Sequence, residues 1–177
     1  QMLAGLVIPE PSDALSSDEA TLLEEVERVI RTSIQPLAQQ NDINGRYPVD
    51  CIDLLRPTGI MQTGLPVTLG GRGFSTRFSL EAQLRIAMVD SAVAQVFKVH
   101  DELSREMPYY SSPEQQKALG TAVVEDGKVL GLAVAEQGRT AEEPLKTSWI
   151  EHTDGHYIVD GKKIYTTGAA KADLIAT

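Results

Sequence analysis

The sequence has little cysteine, few aromatic residues, few basic residues and no long apolar run. It contains one cysteine, 16 Lys and Arg against 25 Asp and Glu, and a formal net charge of -9. A single thiol excludes an internal disulfide and a metal site of the CxxC type, so Cys51 is expected to be a buried apolar residue in a reducing compartment. Because no basic cluster offsets the acidic charge, nucleic acid is excluded as a partner.

Membrane insertion is also not expected. No stretch of about 18 apolar residues is present, so no transmembrane helix is predicted. The opening residues QMLAGLVIPEP have neither a basic region nor a small-residue cleavage pattern, unlike a signal peptide. These absences favour a cytoplasmic protein.

Apolar residues repeat with a helical period over the first two thirds of the chain. The first stripe consists of Leu22, Leu23, Val26, Val29, Ile30, Ile34 and Leu37. Ser16 and Glu19 predict a capping box at its start, and Pro36 predicts a kink or an end. A short helix is predicted over residues 49–55. Two more are predicted between Ser79 and Leu103, with a break near Asp90 and Ser91. A last helix is predicted to begin at Pro113, with Ser112 as its N-cap.

After Gly127 the pattern becomes that of β-strands. Four short segments rich in Val, Ile, Thr and aromatic residues follow, with Asp-Gly turns at 154–155 and 160–161. We therefore predict an α+β fold: an N-terminal extension (1–15), an all-helical bundle domain (16–126), and an antiparallel, barrel-like β domain (127–177) that is incomplete in this chain.

The usual catalytic groups are hard to find in this sequence. The three histidines, His100, His152 and His156, have no metal-ligand spacing, so no metal site is predicted. A lone histidine on a helix, such as His100, is more typical of a hydrogen-bonded structural residue. The GGRG stretch at 70–73, in a glycine-rich loop over 59–75, lacks the GxxxxGK[ST] pattern and is typical of a tight turn. Patterns of this kind name no catalytic residue.

The order of several local motifs is more informative. The segments PVTLGGRGFS, VDSAVAQVF, SSPEQQKAL, GLAVAEQG and DGHYIVDGKKIYTTGAAKAD follow one another along the chain. This order resembles the acyl-CoA dehydrogenase superfamily of flavoproteins. The resemblance implies a helical domain, then a β domain against which the isoalloxazine ring of a flavin (FAD or FMN) lies. It implies ring contacts from Leu132, Val134 and Ala135, and from Tyr165, Thr166 and Thr167.

The chain departs from the dehydrogenase pattern at one segment. Where many of these enzymes have Thr-Glu-Pro-Gly-x-Gly-Ser-Asp, this chain has AEQGRTAE from Ala135 to Glu142. The missing Thr and Ser hydroxyls argue against a simple acyl-CoA substrate. The YTTGA stretch is similar to a side branch of reduced-flavin monooxygenases that act on sulfur compounds and aromatics and receive flavin from a partner reductase. In that branch His100 is expected to donate a hydrogen bond near the flavin.

The resemblance also implies a larger protein. Family members continue into a C-terminal helical bundle that supplies the catalytic carboxylate of the dehydrogenases and the core of a homotetramer. We therefore expect a flavin-dependent dehydrogenase or monooxygenase that acts on a small-molecule or acyl-CoA-like substrate. This chain is expected to be an N-terminal portion of that enzyme and to be inactive alone. The alternative is a non-catalytic subunit or assembly module that retains the fold.

Overall fold

The computed structural model of the chain describes residues 14–140 and 142–177. Nearly all of the predicted N-terminal extension (1–15), and Ala141, lie outside the described residues. Six α-helices occur in the described part: α1 (Ser17–Val29), α2 (Gln35–Ile43), α3 (Val49–Leu55), α4 (Thr76–Ala87), α5 (Ser91–Tyr110) and α6 (Pro113–Gly120). Two π-helical turns, Ile30–Ile34 and Thr121–Glu125, follow α1 and α6.

The predicted helix starts depend on side-chain caps, and the structure confirms several of them. The Ser16 hydroxyl accepts a hydrogen bond from the Glu19 N–H, while the Glu19 carboxylate accepts one from the Ser16 N–H at 2.8 Å. The Asp90 carboxylate accepts the N–H groups of Ala92 and Val93, which starts α5 where the break was predicted. Helix α4 begins at Thr76, three residues before the predicted Ser79.

The interruption predicted at Pro36 is present as a change of helix type. The chain widens into the π-helical turn Ile30–Ile34, and α2 begins at Gln35. Pro36 therefore lies directly after the π-helical turn, where the hydrogen-bond pattern already departs from that of an α-helix.

Two apolar clusters hold the described part of the chain together. The larger one consists of the inward faces of α1, α3, α4 and α5, including Leu23, Val26 and Phe97. The second joins α5 and α6 to a short strand, β1 (Leu130–Leu132), through Val99, Leu119 and Leu130. Because β1 packs on the helices, the residues that follow it are fixed relative to the helical domain.

The remaining strands are β2 (Ser148–Glu151), β3 (Tyr157–Asp160) and β4 (Leu174–Ala176). β2 and β3 form an antiparallel hairpin whose turn contains Gly155 at φ 82°, as the first Asp-Gly pair predicts. β1 and β4 pair in parallel, with Leu130 beside Leu174, so the prediction of antiparallel pairing was wrong for these two strands.

The second Asp-Gly pair does not form a hairpin turn. Gly161 instead passes close to Thr147, and a Cβ added to it would lie 2.3 Å from the Thr147 hydroxyl oxygen. The strand predicted beyond it contributes only an isolated antiparallel bridge between Leu132 and Thr167. The broader prediction of a helical domain followed by a small sheet region is confirmed.

Candidate functional site

Two stretches predicted to share a site lie side by side, and we call residues 132–136 and 163–167 the paired segments. The Leu132 N–H donates to the Thr167 carbonyl at 3.1 Å, and the Ile164 N–H donates to the Ala135 carbonyl at 2.8 Å. Both contacts belong to one antiparallel register, which places Val134 opposite Tyr165. The structure therefore brings together all six residues predicted to contact a flavin.

Tyr165 has the most unusual backbone in this region. Its φ is 52°, and no other residue except glycine has a positive φ in the described ranges 14–140 and 142–177. A tyrosine in this left-handed region costs about 1 kcal/mol or more. Its side chain is 89% exposed, so burial of the ring within the chain does not offset that cost. Backbone hydrogen bonds of Ile164 and Thr167 to the opposite segment hold the chain on either side of Tyr165.

The paired segments also leave hydrogen-bonding groups unused. Among the described residues, the N–H groups of Tyr165 and Thr166 have no partner, and neither do the hydroxyls of Thr166 and Thr167. Val134 and Ala135 are exposed beside them. The edge thus combines one aromatic ring, a small apolar surface and several donors, a set that suits a flat heteroaromatic ligand.

A buried carboxylate closes one end of the paired segments. Glu136 accepts hydrogen bonds from the Lys163 ammonium (2.8 Å), the Lys146 N–H (2.6 Å), the Thr147 N–H (2.9 Å) and the Thr147 hydroxyl (2.6 Å). The Lys163 bond, followed by those from Thr147 and Lys146, holds the pKa of Glu136 far below its usual range. Sequence reasoning did not assign Glu136 a role, because the signal, a Glu opposite a Lys, is visible only once the register is known.

The other end is closed by a brace between β1 and β4. The Val129 N–H donates to the Asp173 carboxylate at 2.8 Å, and the Asp173 N–H donates to the Val129 carbonyl at 2.9 Å. Gly168, at φ 85°, packs against Gly131, whose added Cβ would lie 2.8 Å from the side chain of Ala172. The small residues of GAAKAD therefore allow two stretches of backbone to approach closely.

His100, expected from the resemblance to donate a hydrogen bond near the flavin, bonds through both ring nitrogens to other residues of the chain. The imidazole is fully buried, its Nε2 lies 2.6 Å from the Met61 carbonyl, and its Nδ1 accepts the Leu130 N–H at 3.1 Å. These contacts require a neutral ring with the proton on Nε2, and burial lowers the pKa of His100. Both ring nitrogens are therefore occupied, and His100 joins α5 to β1 and to the loop at Met61.

Other potential sites are less favourable. The described residues contain no group of three or more His, Cys, Asp or Glu that could hold a metal ion. Burial raises the pKa of the Cys51 thiol to about 11, which makes it a poor nucleophile. Within the described residues, no helix has the length and apolarity needed to cross a membrane.

A cleft of about 720 Å³ lies between α2, the loop at Arg46 and the start of α5 at Ala92. It shares no residue with the paired segments. Its lining is mostly amide, acidic and small side chains, with Arg46 as the one cation among the described lining residues. The described lining of this cleft offers no aromatic surface and includes no residue of the predicted site.

The sequence is similar to those of several known enzymes. The chain is 28% identical over 167 residues to a 3-sulfinopropanoyl-CoA desulfinase of Variovorax paradoxus, covering 91% of this chain and 41% of the relative. It is 26% identical over 139 residues to a probable FMNH2-dependent monooxygenase, SfnC, of Pseudomonas putida, covering 78% of this chain and 33% of the relative. The chain thus spans less than half the length of both relatives.

The fold is also that of a known dehydrogenase. Butyryl-CoA dehydrogenase from Megasphaera elsdenii superimposes with a TM-score of 0.82 at 21% identity, over 93% of this chain and 44% of that one. Residues 16–125 match the family model described as acyl-CoA dehydrogenase, N-terminal domain. The chain therefore belongs to the acyl-CoA dehydrogenase family.

Proposed function

We propose that the paired segments form one wall of a flavin site, and that the chain is the N-terminal part of a flavin-dependent oxidoreductase. The observation that carries this proposal is the conformation of Tyr165. An exposed aromatic side chain is held in a left-handed backbone conformation opposite Val134, beside unused donors. Strain of this kind is typical of ligand sites, where the ligand contacts compensate for it.

Each residue of the wall has a definite part in this proposal. The Tyr165 ring and the Val134 and Ala135 side chains provide a flat apolar surface for an isoalloxazine ring. The N–H and hydroxyl of Thr166 and the hydroxyl of Thr167 donate to the polar edge of the flavin. When bound, the flavin supplies electron-transfer or oxygen chemistry, while these residues orient it and tune the charge at its edge.

Within the family, we propose the reduced-flavin monooxygenase branch, with FMN delivered by a partner reductase. The supporting observation is Ala135, which places no hydroxyl where the dehydrogenase pattern has threonine. The relative from Pseudomonas putida, an FMNH2-dependent monooxygenase by name, is consistent with this choice. The substrate would then be a small sulfur-containing or aromatic molecule.

A dehydrogenase-like enzyme acting on an acyl-CoA is the second candidate. Two likenesses favour it: the relative from Variovorax paradoxus acts on a CoA thioester by name, and the structure superimposes well on a butyryl-CoA dehydrogenase. In both versions the proposal is a cytoplasmic homotetramer whose remaining domain completes the active site. A non-catalytic module with the same fold would bind no flavin at the paired segments.

Flavin binding by the 177-residue chain tests the proposal. Oxidised and dithionite-reduced FMN and FAD would be titrated with the chain under nitrogen, with the visible spectrum as the readout. We expect binding, with the Tyr165→Ala variant weakening it about tenfold through loss of the ring surface. Tyr110→Ala is the matched control, because Tyr110 is equally exposed, at 88%, but lies at the end of α5.

Each outcome of this titration has a distinct meaning. Preference for reduced FMN supports the monooxygenase branch, and preference for FAD supports the dehydrogenase version. Equal effects of the Tyr165 and Tyr110 substitutions would contradict the assignment of the wall, and absence of any flavin binding would favour the non-catalytic module.

A further inference from the structure

Glu136 is the point at which three separate stretches of chain meet. Glu136 itself ends the paired segment 132–136. Its carboxylate bonds to Lys163 in the other paired segment, and to Lys146 and Thr147 just before β2. The side chains of Glu136 and Lys163 are 3% and 12% exposed, so water competes little for these bonds.

We propose that Glu136 is a positioning residue, which sets the backbone of Tyr165 and Thr166 for flavin through its ion pair with Lys163. As far as it concerns flavin, this inference rests on the proposed function above. Tyr165 lies between two attachments to the opposite segment: the Ile164 N–H bond to Ala135 on one side and the Thr167 carbonyl bond to Leu132 on the other.

The attachment at Ile164 is a single backbone hydrogen bond at an irregular edge. The ion pair of Glu136 with Lys163 immediately precedes it in the register and supports it. The Lys163 ammonium also lies 3.4 Å from the carbonyl oxygen of Val134, the residue that faces Tyr165 across the paired segments. Loss of the carboxylate would release Lys163 and leave the Ile164 bond as the one attachment on that side of the turn, so Tyr165 would relax toward an unstrained φ.

The carboxylate also sets the charge beside the proposed wall. With Glu136 ionised, the Lys163 charge is neutralised by a partner at 2.8 Å. Glu136→Gln would leave an uncompensated cation two residues from Tyr165. Positive charge near a flavin favours its reduced, anionic form, so the midpoint potential of bound flavin should rise. A residue that served only the stability of the fold would not produce this effect.

The test compares the chain with Glu136→Gln, Lys163→Met and the double variant. Three readouts are measured: the Kd for FMN, the midpoint potential of bound FMN, and the backbone NMR shifts of Tyr165 without flavin. We expect Glu136→Gln to raise the Kd about tenfold, to raise the potential, and to move the Tyr165 and Thr166 signals. The double variant should lose the potential shift, because the cation is gone, while its Kd resembles that of the single variants.

Glu143→Gln is the matched control, because Glu143 is exposed and, among the described residues, its carboxylate bonds only to the Thr140 N–H. It should change none of the three readouts. If Glu136→Gln fails to fold, Thr147→Val removes one bond to the carboxylate and should move the Tyr165 signals in the same direction, by less.

Unchanged Tyr165 signals and Kd in folded Glu136→Gln would overturn the positioning role. If the chain itself binds no FMN, the proposed function fails, and the Tyr165 signals measured without flavin still decide whether Glu136 positions this turn.

Discussion

Glu136 and Lys163 form an ion pair, with 2.8 Å between Oε1 and Nζ, at the end of an antiparallel pairing that begins with Leu132 and Thr167. The pairing lies beyond the regular strands, yet every contact in it keeps one register. An edge of this kind leaves backbone donors unused, such as the N–H groups of Tyr165 and Thr166 among the described residues. This is the physical reason that the edge can serve as a ligand wall.

Replacement of Tyr165 by glycine should separate stability from binding. Glycine adopts φ 52° without a Cβ penalty, so we expect the free energy of unfolding to stay the same or to rise by up to about 1 kcal/mol. Flavin binding should weaken because the aromatic surface is lost. Urea unfolding and FMN titration of the same samples provide the check, and a large loss of stability would show that the ring packs within the chain.

His100 should make the stability of the chain pH-dependent. Burial lowers its pKa in the folded state below the ordinary value near 6.5, so the unfolded chain binds the proton first as the pH falls. The contribution of the neutral ring is therefore fully present above about pH 6.5 and decreases below it. Urea midpoints measured between pH 8 and pH 5 should fall on the acidic side.

His100→Asn is the control for that pH dependence. The amide oxygen of asparagine can still accept the Leu130 N–H, but it does not titrate. The variant should be less stable at pH 8, since the bond to the Met61 carbonyl is lost, and its stability should fall less between pH 7 and pH 5. Parallel pH profiles for the two proteins would contradict the neutral, doubly bonded ring.

Gly161→Ala should disturb the Glu136 network from a distance in sequence. The new Cβ would lie 2.3 Å from the Thr147 hydroxyl and 2.7 Å from its Cβ, so Thr147 must shift, which disturbs its bond to Glu136. We expect a loss of about 1–3 kcal/mol in the free energy of unfolding, as for other overpacked positions. Lys162→Ala, at the exposed neighbouring position, should cost less than about 0.5 kcal/mol.

Asp101→Asn should loosen the glycine-rich loop. The buried Asp101 carboxylate accepts bonds from the Ser79 hydroxyl at 2.6 Å and from Arg105 at 2.8 Å, and Arg105 also bonds to the Phe74 carbonyl. Removal of this charge leaves Arg105 without its anionic partner, at a cost of about 3 kcal/mol. Thermal unfolding gives the measurement, and Glu102→Gln, on the same helix but partly exposed, should be nearly neutral.

The helical part of the fold was predictable because its signals are local. Ser16, Asp90 and Ser112 start helices through bonds to residues two or three positions away, and such spacing is visible in the sequence. The parallel pairing of β1 and β4 was not predictable, since it depends on the path of the intervening chain.

The site was predictable only in outline. The resemblance to a family named the two segments that meet, but the roles of Glu136 and His100 depend on partners far away in sequence. His100 bonds to residues 39 and 30 positions away, and Glu136 bonds to Lys163, 27 positions away. No pattern within a helix or a strand encodes contacts of that range.

An NMR titration of the 15N-labelled 177-residue chain with FMN is the decisive experiment on the flavin wall, because it detects even weak binding and shows where it occurs. We predict that amide signals of residues 132–135 and 165–167 shift together and saturate, and that those lining the cleft near Arg46 and Ala92 do not. Shifts confined to that cleft, or no shifts at millimolar flavin, would contradict a flavin wall formed by the paired segments.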